Sequence, residues 1–253
     1  MRRVRVIGVG LGEPAQLTGE AVAAIRSLDV VLTLEKAGPG DLGAVRRALV
    51  AAAAGDRPGG PPPIVDAPDP PRDRRSSAYE GAVDAWTDAR AATYAGLLQR
   101  AVPDGATAGL LAWGDPAFYD STLRVLEGVA AAGLALDVDV VPGVSSVAAL
   151  AAAHRISLTR VGRPLVVTTG RRLRSDGWPP AADDVVVMLD GGDAFRSVDP
   201  AGVHVHWGAH LASPDQVLVA GPLADVADDI TAARQAARAR RGWVMDIYLL
   251  RRV

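Results

Sequence analysis

The chain has 253 residues, which is enough for one large domain or two of medium size. Hydrophobic residues make up 49% and charged residues 22%, a balance that supports a buried core and excludes a disordered chain. The formal net charge of -2 argues against a dedicated nucleic-acid binder, and the absence of cysteine excludes disulfides, thiolate metal sites and a cysteine nucleophile. No apolar stretch has the length of a membrane span and no signal-peptide core follows the first arginines, so we expect a cytoplasmic protein.

The first half of the chain alternates predicted strands with predicted helices. Apolar runs predict four strands, at residues 4–9, 30–34, 108–113 and 136–141. The spacing of apolar residues predicts helices at residues 17–28 and 122–132, and a long helix that begins at a capping box formed by Ser77 and Glu80. The segment 55–73 is rich in proline and glycine and is predicted to have no regular structure. The alternation predicts a parallel sheet with crossover helices.

The second half predicts a different kind of sheet. We place a domain boundary at Pro142, which divides the chain into domains 1–142 and 143–253. Ser145 is predicted to cap a helix that runs to Ala153. Apolar runs predict further strands, at residues 165–169, 185–189, 203–207, 217–220 and 244–250, and a helix is predicted at 225–241. Because few helices separate these strands, this half is expected to form a mixed sheet.

A glycine-rich turn follows the first predicted strand, at residues 8–14 (GVGLGEP). Glycines at a strand end let the backbone turn sharply and approach a ligand closely. The dinucleotide fingerprint G-x-G-x-x-G would need a glycine at position 13, where Glu13 stands. A carboxylate there would repel a pyrophosphate at a helix N-terminus, so an NAD-dependent oxidoreductase is disfavoured. A purely structural turn is the other alternative.

Two further motifs follow predicted strands of the same sheet. Residues 113–121 (WGDPAFYDS) place Asp115 at the carboxyl end of a strand, where ligands bind in parallel α/β sheets. Its carboxylate can accept hydrogen bonds from an amine or a ribose hydroxyl, and a helix cap with a turn is the alternative interpretation. Residues 141–147 (VPGVSSV) put small side chains at a helix start, which permits close approach of a ligand. An interdomain turn is the alternative there.

In combination, the three motifs resemble those of the tetrapyrrole methylase family, which has a G-x-G-x-G-[DE]-P turn, a G-D-P-x-x-Y segment and a P-G-[IV]-[ST]-S segment. The resemblance extends over essentially the whole chain, because the order of the predicted strands around the motifs also fits. It implies a two-domain α/β fold, with a mainly parallel sheet in the N-terminal domain and a mixed sheet in the C-terminal domain. It also implies S-adenosylmethionine in the cleft between the domains, and a homodimer.

The resemblance implies cofactor contacts at particular positions of this sequence. The expected contacts are Leu11, Trp113, Gly114, Asp115, Phe118, Ser145, Ser146 and Leu189. Met188 is the alternative to Leu189 if the register differs by one residue, and Ala220 and Gly221 match a further contact of the family.

Three segments resemble one branch of the family that acts on a corrin precursor: WGDPAFYDSTLRVLE, TTGRRL and DDVVVMLDGGDAFR. This resemblance implies methylation of ring carbon C-1 of precorrin-5 with release of acetate. Methylation of a different precorrin, or of a protein as in diphthine-forming relatives, is the alternative activity. A tetrapyrrole carrier without catalysis is a further alternative.

Arginines are expected to bind the many carboxylates of such a substrate, because a guanidinium makes bidentate, permanently charged contacts. The candidate substrate-binding residues are Arg171 and Arg172 after a predicted strand, Tyr119 in the second motif, and Arg72, Arg74 and Arg75 beside the proline-rich loop. We interpret that loop as a lid. A solvated surface position is the alternative for each arginine.

The reaction needs a general base to activate water. The candidates are Asp120, Tyr119, Asp190 and His210, with ordinary hydrogen bonding as the alternative for each, and no catalytic residue is assigned.

Three weaker patterns point to structure rather than to chemistry. The spacing H-x-H-x3-H, in which His210 is the last histidine, is conceivable as a metal site, but no fourth ligand is evident and no metal is predicted. The first two histidines of this pattern are His204 and His206. Arginines at 234, 238 and 241 share a helical face that we expect to be solvated. Trp207 and Trp243 lie in predicted strands and are expected in the core or in an interface.

Overall fold

The computed structural model describes three stretches of the chain, residues 1–35, 42–73 and 79–253. Contacts between residues divide the chain into an N-terminal unit, Met1–Ser145, and a C-terminal unit, Ser146–Val253. This division falls shortly after Pro142, where the sequence placed the domain boundary.

Some of the predicted residues lie outside the described stretches. They are Arg74 and Arg75 of the predicted lid and Ser77 of the predicted capping box. Among the helices that the described stretches contain, none is long and apolar enough to cross a membrane.

The N-terminal unit is built on a parallel sheet with the strand order β3-β2-β4-β1-β5. Its strands are β1 (Arg2–Gly8), β2 (Val30–Glu35), β3 (Ile64–Pro68), β4 (Thr107–Ala112) and β5 (Leu136–Val141). Its described helices are α1 (Gly19–Arg26), α2 (Leu42–Ala54), α3 (Tyr79–Ala101) and α4 (Thr122–Ala131). The four predicted strands correspond to β1, β2, β4 and β5, so the predicted parallel sheet is confirmed.

Helices cover both faces of this sheet, which explains why its central strands are continuous apolar runs. Successive residues of a strand point to opposite faces. Val6 of β1 and Leu110 of β4 therefore pack in the cluster that holds residues of α3 and α4. Their neighbours Ile7 and Leu111 pack in the cluster that holds residues of α1 and α2.

The prediction that segment 55–73 has no regular structure is wrong for β3. Ile64–Pro68 pairs in parallel with β2 and is an edge strand of the sheet. Proline lacks the N–H that a ladder needs, and an edge strand tolerates it. Pro63 precedes this strand and Pro68 ends it, so the prolines that disguised the strand lie at its two ends. Helix α2 was also not predicted.

The C-terminal unit has a mixed sheet with the strand order β6-β7-β10-β8-β9. Its strands are β6 (Leu165–Thr169), β7 (Asp184–Met188), β8 (Val203–Ala209), β9 (Val217–Pro222) and β10 (Asp246–Arg252). Its helices are α5 (Ser146–His154), α6 (Gly170–Asp176) and α7 (Leu223–Arg241). β6 and β7 pair in parallel, and the other pairs are antiparallel, which confirms the predicted mixed sheet.

Aromatic side chains fill the core of the C-terminal unit on one face of its sheet. Trp207, Tyr248 and Phe195 are fully buried there, and the rings of Phe195 and Tyr248 meet edge to face at 5.6 Å. The prediction for Trp207 is confirmed. The prediction that Trp243 lies in a strand is wrong, because β10 begins three residues later, at Asp246.

The expectation of a solvated arginine face on α7 is wrong for Arg234. This residue is 6% exposed and pairs with two carboxylates. Its Nη1 lies 2.6 Å from Asp193 Oδ1, and its Nε lies 3.2 Å from Asp246 Oδ2. Burial raises the pKa of the Asp246 carboxyl, and the Arg234 guanidinium opposes that rise. The arginine therefore compensates a buried charge.

Candidate functional site

Three strand ends of the N-terminal sheet meet through glycine backbones. Gly8 ends β1, Gly114 follows β4 and Gly143 follows β5. A Cβ on Gly8 would lie 2.6 Å from the Gly143 nitrogen and 2.9 Å from the Gly114 oxygen, so a side chain there would overlap both loops. Gly10 and Gly114 also exchange two backbone hydrogen bonds, of 3.2 and 2.7 Å. The absence of side chains thus brings the three motifs together.

The Asp115 carboxylate links the second motif to the third. Its Oδ2 accepts a hydrogen bond of 2.9 Å from the Gly143 amide, and its Oδ1 accepts one of 2.8 Å from the Ala117 amide. The sequence predicted an acceptor for a ligand at this position, with a helix cap and turn as the alternative, and the hydrogen bond from Ala117 is a contact within that turn. A carboxylate has about four acceptor sites, so two accepted hydrogen bonds leave this half-buried group capacity for a ligand.

The first motif is held by a side chain that sequence reasoning missed. The Leu11 amide donates a 2.7 Å hydrogen bond to Oε1 of Gln16, in the short 3₁₀ turn Pro14–Gln16. The Cβ of Gln16 also lies 2.7 Å from where a Cβ on Gly10 would be. A contact from Leu11 to a ligand would therefore use its carbonyl or side chain rather than its amide.

Trp113 forms a wall beside the first motif. A Cβ on Gly12 would lie 3.1 Å from the Trp113 ring, so the glycine lets the indole approach the turn. The Arg46 guanidinium lies over the face of the indole, with its central carbon 5.4 Å from the centroid of the Trp113 ring. Trp113 Nε1 is buried, and no acceptor for it is found among the residues that the structure describes.

Phe118 and Tyr119 lie in the turn between β4 and α4. The Phe118 amide donates a 3.1 Å hydrogen bond to the Asp115 carbonyl, and the side chain is half-buried. Tyr119 has a positive φ of 52° and is 49% exposed. A non-glycine residue with positive φ is uncommon, and such residues concentrate at functional sites.

The two predicted serines stand at the division of the chain. Ser145 is the last residue of the N-terminal unit, and Ser146 is the first residue of α5 in the C-terminal unit. Both are half-buried. Their role as cofactor contacts stays a prediction.

In the C-terminal unit, the chain turns sharply after β7. The strand ends at Met188, which is half-buried, whereas Leu189 has a φ of 54° and is 66% exposed. A bulky residue other than glycine is uncommon in the left-handed region of backbone conformation. These two facts favour Leu189 over Met188 as the residue available for contact.

Among the other predicted contacts of this unit, Arg172 and Gly221 contact residues of the unit itself. Arg172 pairs with Asp176 one turn further along α6, at 2.9 Å between exposed side chains, and Arg171 is exposed near the start of the same helix. Gly221 lies in β9, where a Cβ would lie 2.7 Å from Val226 of α7, so this glycine serves helix packing. Ala220 is exposed beside it.

Arg72 belongs to the N-terminal unit and is the arginine of the predicted lid that lies within the described stretches. Its guanidinium lies 5.4 Å from the centre of the Trp86 ring.

The candidate bases differ in how far their acceptors are engaged. Asp190 is 4% exposed and accepts from Arg174, the Gly192 and Ala194 amides and the Tyr248 hydroxyl, so it has no capacity left for water. Asp120 Oδ1 accepts a 2.7 Å hydrogen bond from the Thr122 amide at the start of α4.

Burial lowers the pKa of the His210 imidazole, and the Arg241 guanidinium adds to this effect. No partner for its buried Nε2 is found in the described part of the chain.

The predicted histidine pattern separates in the structure. His204 and His206 share one face of β8 with ring centroids 4.7 Å apart, and His154 of α5 lies 5.1 Å from His206. His210 instead packs edge to face against Trp243, at 4.9 Å. Within the described stretches, no group of three metal-ligating side chains is placed to hold an ion.

Comparison with known proteins gives the family of this chain. The model of the family described as Tetrapyrrole (Corrin/Porphyrin) Methylases matches residues 3–227. A precorrin-6A synthase (deacetylating) from Sinorhizobium sp. is 40% identical over 254 residues, which cover 100% of this chain and 96% of that relative. The chain therefore belongs to the tetrapyrrole methylase family.

Two solved structures share the fold. A cobalamin-synthesis-related protein (CobF) from Corynebacterium diphtheriae is 34% identical with a TM-score of 0.83, and the match covers 100% of this chain and 99% of that one. The uroporphyrin-III C-methyl transferase from Thermus thermophilus, complexed with S-adenyl homocysteine, is 21% identical with a TM-score of 0.56, covering 98% and 96%. The second likeness concerns the fold alone. The predicted two-domain α/β fold is confirmed.

Proposed function

We propose that this protein is an S-adenosylmethionine-dependent C-methyltransferase that converts precorrin-5 to precorrin-6A, methylating C-1 and releasing acetate. The observation that carries the proposal is the 40% identity, over the full chain, to a deacetylating precorrin-6A synthase. The three motifs of the N-terminal unit agree with it, because they meet at the carboxyl end of a parallel sheet.

The residues of the N-terminal unit fit a cofactor of this kind. The glycine contacts leave backbone rather than side chains at the strand ends, and Asp115 keeps acceptor capacity for an ammonium group or a hydroxyl. We propose contacts from Leu11, Trp113, Gly114, Asp115, Phe118 and Ser145 of this unit, and from Ser146 and Leu189 of the C-terminal unit. When bound, the cofactor supplies an electrophilic methyl group on a sulfonium.

The acetate release consumes one water. The water oxygen adds to the acetyl carbonyl, the bond from that carbon to ring carbon C-1 breaks, and its electron pair stays on the conjugated ring, where it forms the bond from C-1 to the transferred methyl group. The two-carbon fragment leaves as acetate, a base takes one proton of the water, and the second proton is released to solvent when acetic acid ionises. The fixed turn that carries Phe118 and Tyr119 contributes by positioning, which lowers the entropy cost of bringing the reacting groups together. Tyr119, Arg171 and Arg172 are proposed substrate contacts.

Mass spectrometry of the product, combined with acetate detection, tests this function. The protein is incubated with S-adenosylmethionine and precorrin-5, and we expect a product that has gained a methyl group together with one equivalent of acetate. Methyl gain without acetate would contradict the deacetylating activity but keep the methyltransferase. If the cofactor binds and no product forms, the substrate assignment is wrong, and other precorrins are tested next.

Asp115→Ala tests the placement of the cofactor. The change removes an acceptor for two loop amides and for the cofactor, so we expect roughly tenfold or greater weakening of S-adenosylmethionine affinity by calorimetry. Asp104→Asn is the matched control, because Asp104 is an exposed aspartate that pairs with the N-terminus, and it should leave the affinity unchanged. Equal affinities of wild type and Asp115→Ala would contradict the placement.

We also propose a homodimer, on the family resemblance alone. Light scattering of the purified protein should give the mass of two 26.1 kDa chains. The mass of one chain would contradict it.

A further inference from the structure

A small polar cavity lies in the N-terminal unit beside the second motif. Its volume is about 50 Å³, which is room for roughly three waters or for one carboxylate group. Strands β2 and β4, helices α2 and α3 and the turn before α4 contribute to its lining. The polar side chains that matter here are Arg46, Arg90, Tyr94, Trp113 and Asp120.

Two of the charged lining residues already have partners. Arg90 Nε lies 3.0 Å from Asp69 Oδ1, and Arg90 Nη1 donates a 2.9 Å hydrogen bond to Ser121 Oγ. The Asp120 carboxylate accepts from the Thr122 amide and so fixes the start of α4. These contacts are local and hold the walls of the cavity in place.

Three other lining residues have donors without acceptors. For the Arg46 guanidinium, no hydrogen bond and no carboxylate within ion-pair distance is found in the described part of the chain, and its contact is with the face of Trp113. No hydrogen bond is found there for the hydroxyl of Tyr94, which is 6% exposed, or for the buried Nε1 of Trp113.

The protonation states of these three groups suit a ligand that accepts hydrogen bonds. Burial raises the pKa of Tyr94 to about 12, so this hydroxyl is a neutral donor at physiological pH. Burial also lowers the pKa of the Arg46 guanidinium, with Arg90 adding to the effect and Asp120 opposing it, but an arginine stays charged under such conditions. Besides Arg90 and Asp120, which have partners, the cavity thus combines one unpaired cation with neutral donors.

We propose that this cavity binds a carboxylate group, with Arg46 as its cation and Tyr94 and Trp113 as further donors. An ionised carboxylate only accepts hydrogen bonds, which matches a set of donors that lack acceptors. The source of the carboxylate rests on the proposed function: it is either the acetate that the reaction releases or a carboxylate side chain of the tetrapyrrole. Trp113 is two residues before Asp115, so the cavity borders the second motif.

Titration of sodium acetate into the full-length protein without cofactor tests binding directly. We expect calorimetry or ligand-observed NMR to detect acetate, and no binding of acetamide, which has the same shape but no charge. Arg46→Met should weaken acetate binding by about tenfold or more, and Arg46→Lys by less, since lysine keeps the charge but loses the bidentate geometry. Arg100→Met is the control, because Arg100 is exposed in the last turn of α3.

Binding of precorrin-5 to the same variants identifies the source. If the wild type binds acetate through Arg46 and precorrin-5 affinity is unchanged in Arg46→Met, the ligand is the released acetate. If free acetate does not bind but Arg46→Met weakens precorrin-5 binding and Arg46→Lys partly restores it, the ligand is a carboxylate of the substrate. If neither affinity depends on Arg46, the cavity holds only water and the proposal is overturned.

Two controls keep this result separate from folding and from the proposed activity. Tyr94→Phe removes only the hydroxyl, so it should fold and weaken carboxylate binding by a smaller factor than Arg46→Met. The acetate titration needs no turnover. Acetate binding through Arg46 in a protein that does not convert precorrin-5 would therefore contradict the proposed function and leave the carboxylate site standing.

Discussion

Two aspartates follow strand ends in the two units, and they differ in what they still can bind. Asp115 follows β4, is half-buried, and accepts two hydrogen bonds from loop amides. Asp190 follows β7, is 4% exposed, and accepts from two amides, from the Tyr248 hydroxyl and from Arg174. Because a carboxylate has about four acceptor sites, Asp190 is saturated and Asp115 is not. An aspartate in a similar place therefore has all its acceptor sites occupied in the C-terminal unit and keeps free acceptor sites in the N-terminal unit.

The loops around the two aspartates differ in the same way. In the N-terminal unit the Asp115 loop is packed by glycine backbone against glycine backbone, with no side chain between the strand ends. In the C-terminal unit a glycine, Gly170, makes room for the aspartate itself, since a Cβ on it would lie 2.5 Å from the Asp190 side chain. The first set of glycine contacts joins three loops to one another, and the second accommodates a buried carboxylate side chain.

Replacing each aspartate by alanine should give the largest effect and the sharpest test of this contrast. Asp190→Ala leaves buried donors without acceptors and creates a cavity, so we expect a loss of about 3–5 kcal/mol in the free energy of unfolding. Asp115→Ala should cost only about 1 kcal/mol, because water can reach the amides that it leaves free, those of exposed Ala117 and half-buried Gly143.

Chemical denaturation measures both losses, and calorimetry with S-adenosylmethionine measures the ligand effect. In calorimetry the expected order of the two variants is reversed. Asp115→Ala should show the larger loss of S-adenosylmethionine affinity, and any Asp190→Ala protein that remains folded should show the smaller one. Equal losses of stability in the two variants would contradict the distinction between a saturated carboxylate at Asp190 and an unsaturated one at Asp115.

Gly143→Ala tests the glycine packing, with an effect that we expect to be intermediate. The added Cβ would overlap the Gly114 carbonyl oxygen and crowd Gly8, and the loops would have to separate. Overpacking of this kind costs about 1–3 kcal/mol, and cofactor affinity should fall as well because the motifs move apart.

Gly19→Ala is the matched control, because nothing lies within 4 Å of a Cβ at the start of α1. It should leave both stability and affinity nearly unchanged. If Gly143→Ala behaves like Gly19→Ala, the strand ends are not held by close glycine contact.

The sequence predicts the architecture of the N-terminal unit well because its physics is local. A strand covered on both faces is a continuous apolar run, and the glycines after β1, β4 and β5 mark where the backbone must turn. The edge strand β3 was not predicted, since it has one neighbour and prolines at its ends. The location of the three motifs at strand ends is likewise a local property, and the structure bears it out.

What the sequence could not give depends on residues far apart in the chain. Asp115 accepts from Gly143, which lies 28 residues later, so the link between the motifs is a tertiary contact. Arg234 was expected in solvent because its helical face is basic, but that face packs against the carboxylates of Asp193 and Asp246. Arg46 and Gln16 had no motif to mark them, and only their packing reveals their roles.

Acid sensitivity should separate the two units, with the smallest effect of those considered. All four histidines lie in the C-terminal unit. Burial, together with His204, His154 and Arg251, lowers the pKa of His206 to about 4. The unfolded chain takes up a proton near the ordinary pKa of about 6.5, whereas the folded chain does not until pH falls to about 4. The free energy of unfolding of this unit should therefore decline as pH falls from about 6.5 to about 4. Above pH of about 6.5, His206 should have no effect on it.

His206→Gln removes this titration and should flatten the decline, because glutamine stays neutral in both states. Unfolding is followed between pH 7 and pH 4 in the wild type and the variant, and the difference between the two curves cancels the carboxylates that they share. Thr93→Ser, a polar change on α3 in the N-terminal unit, is a control that should leave the slope as it is. A wild-type slope that persists in His206→Gln would show that the histidines do not account for the acid sensitivity, and the contrast would then rest on the two aspartates alone.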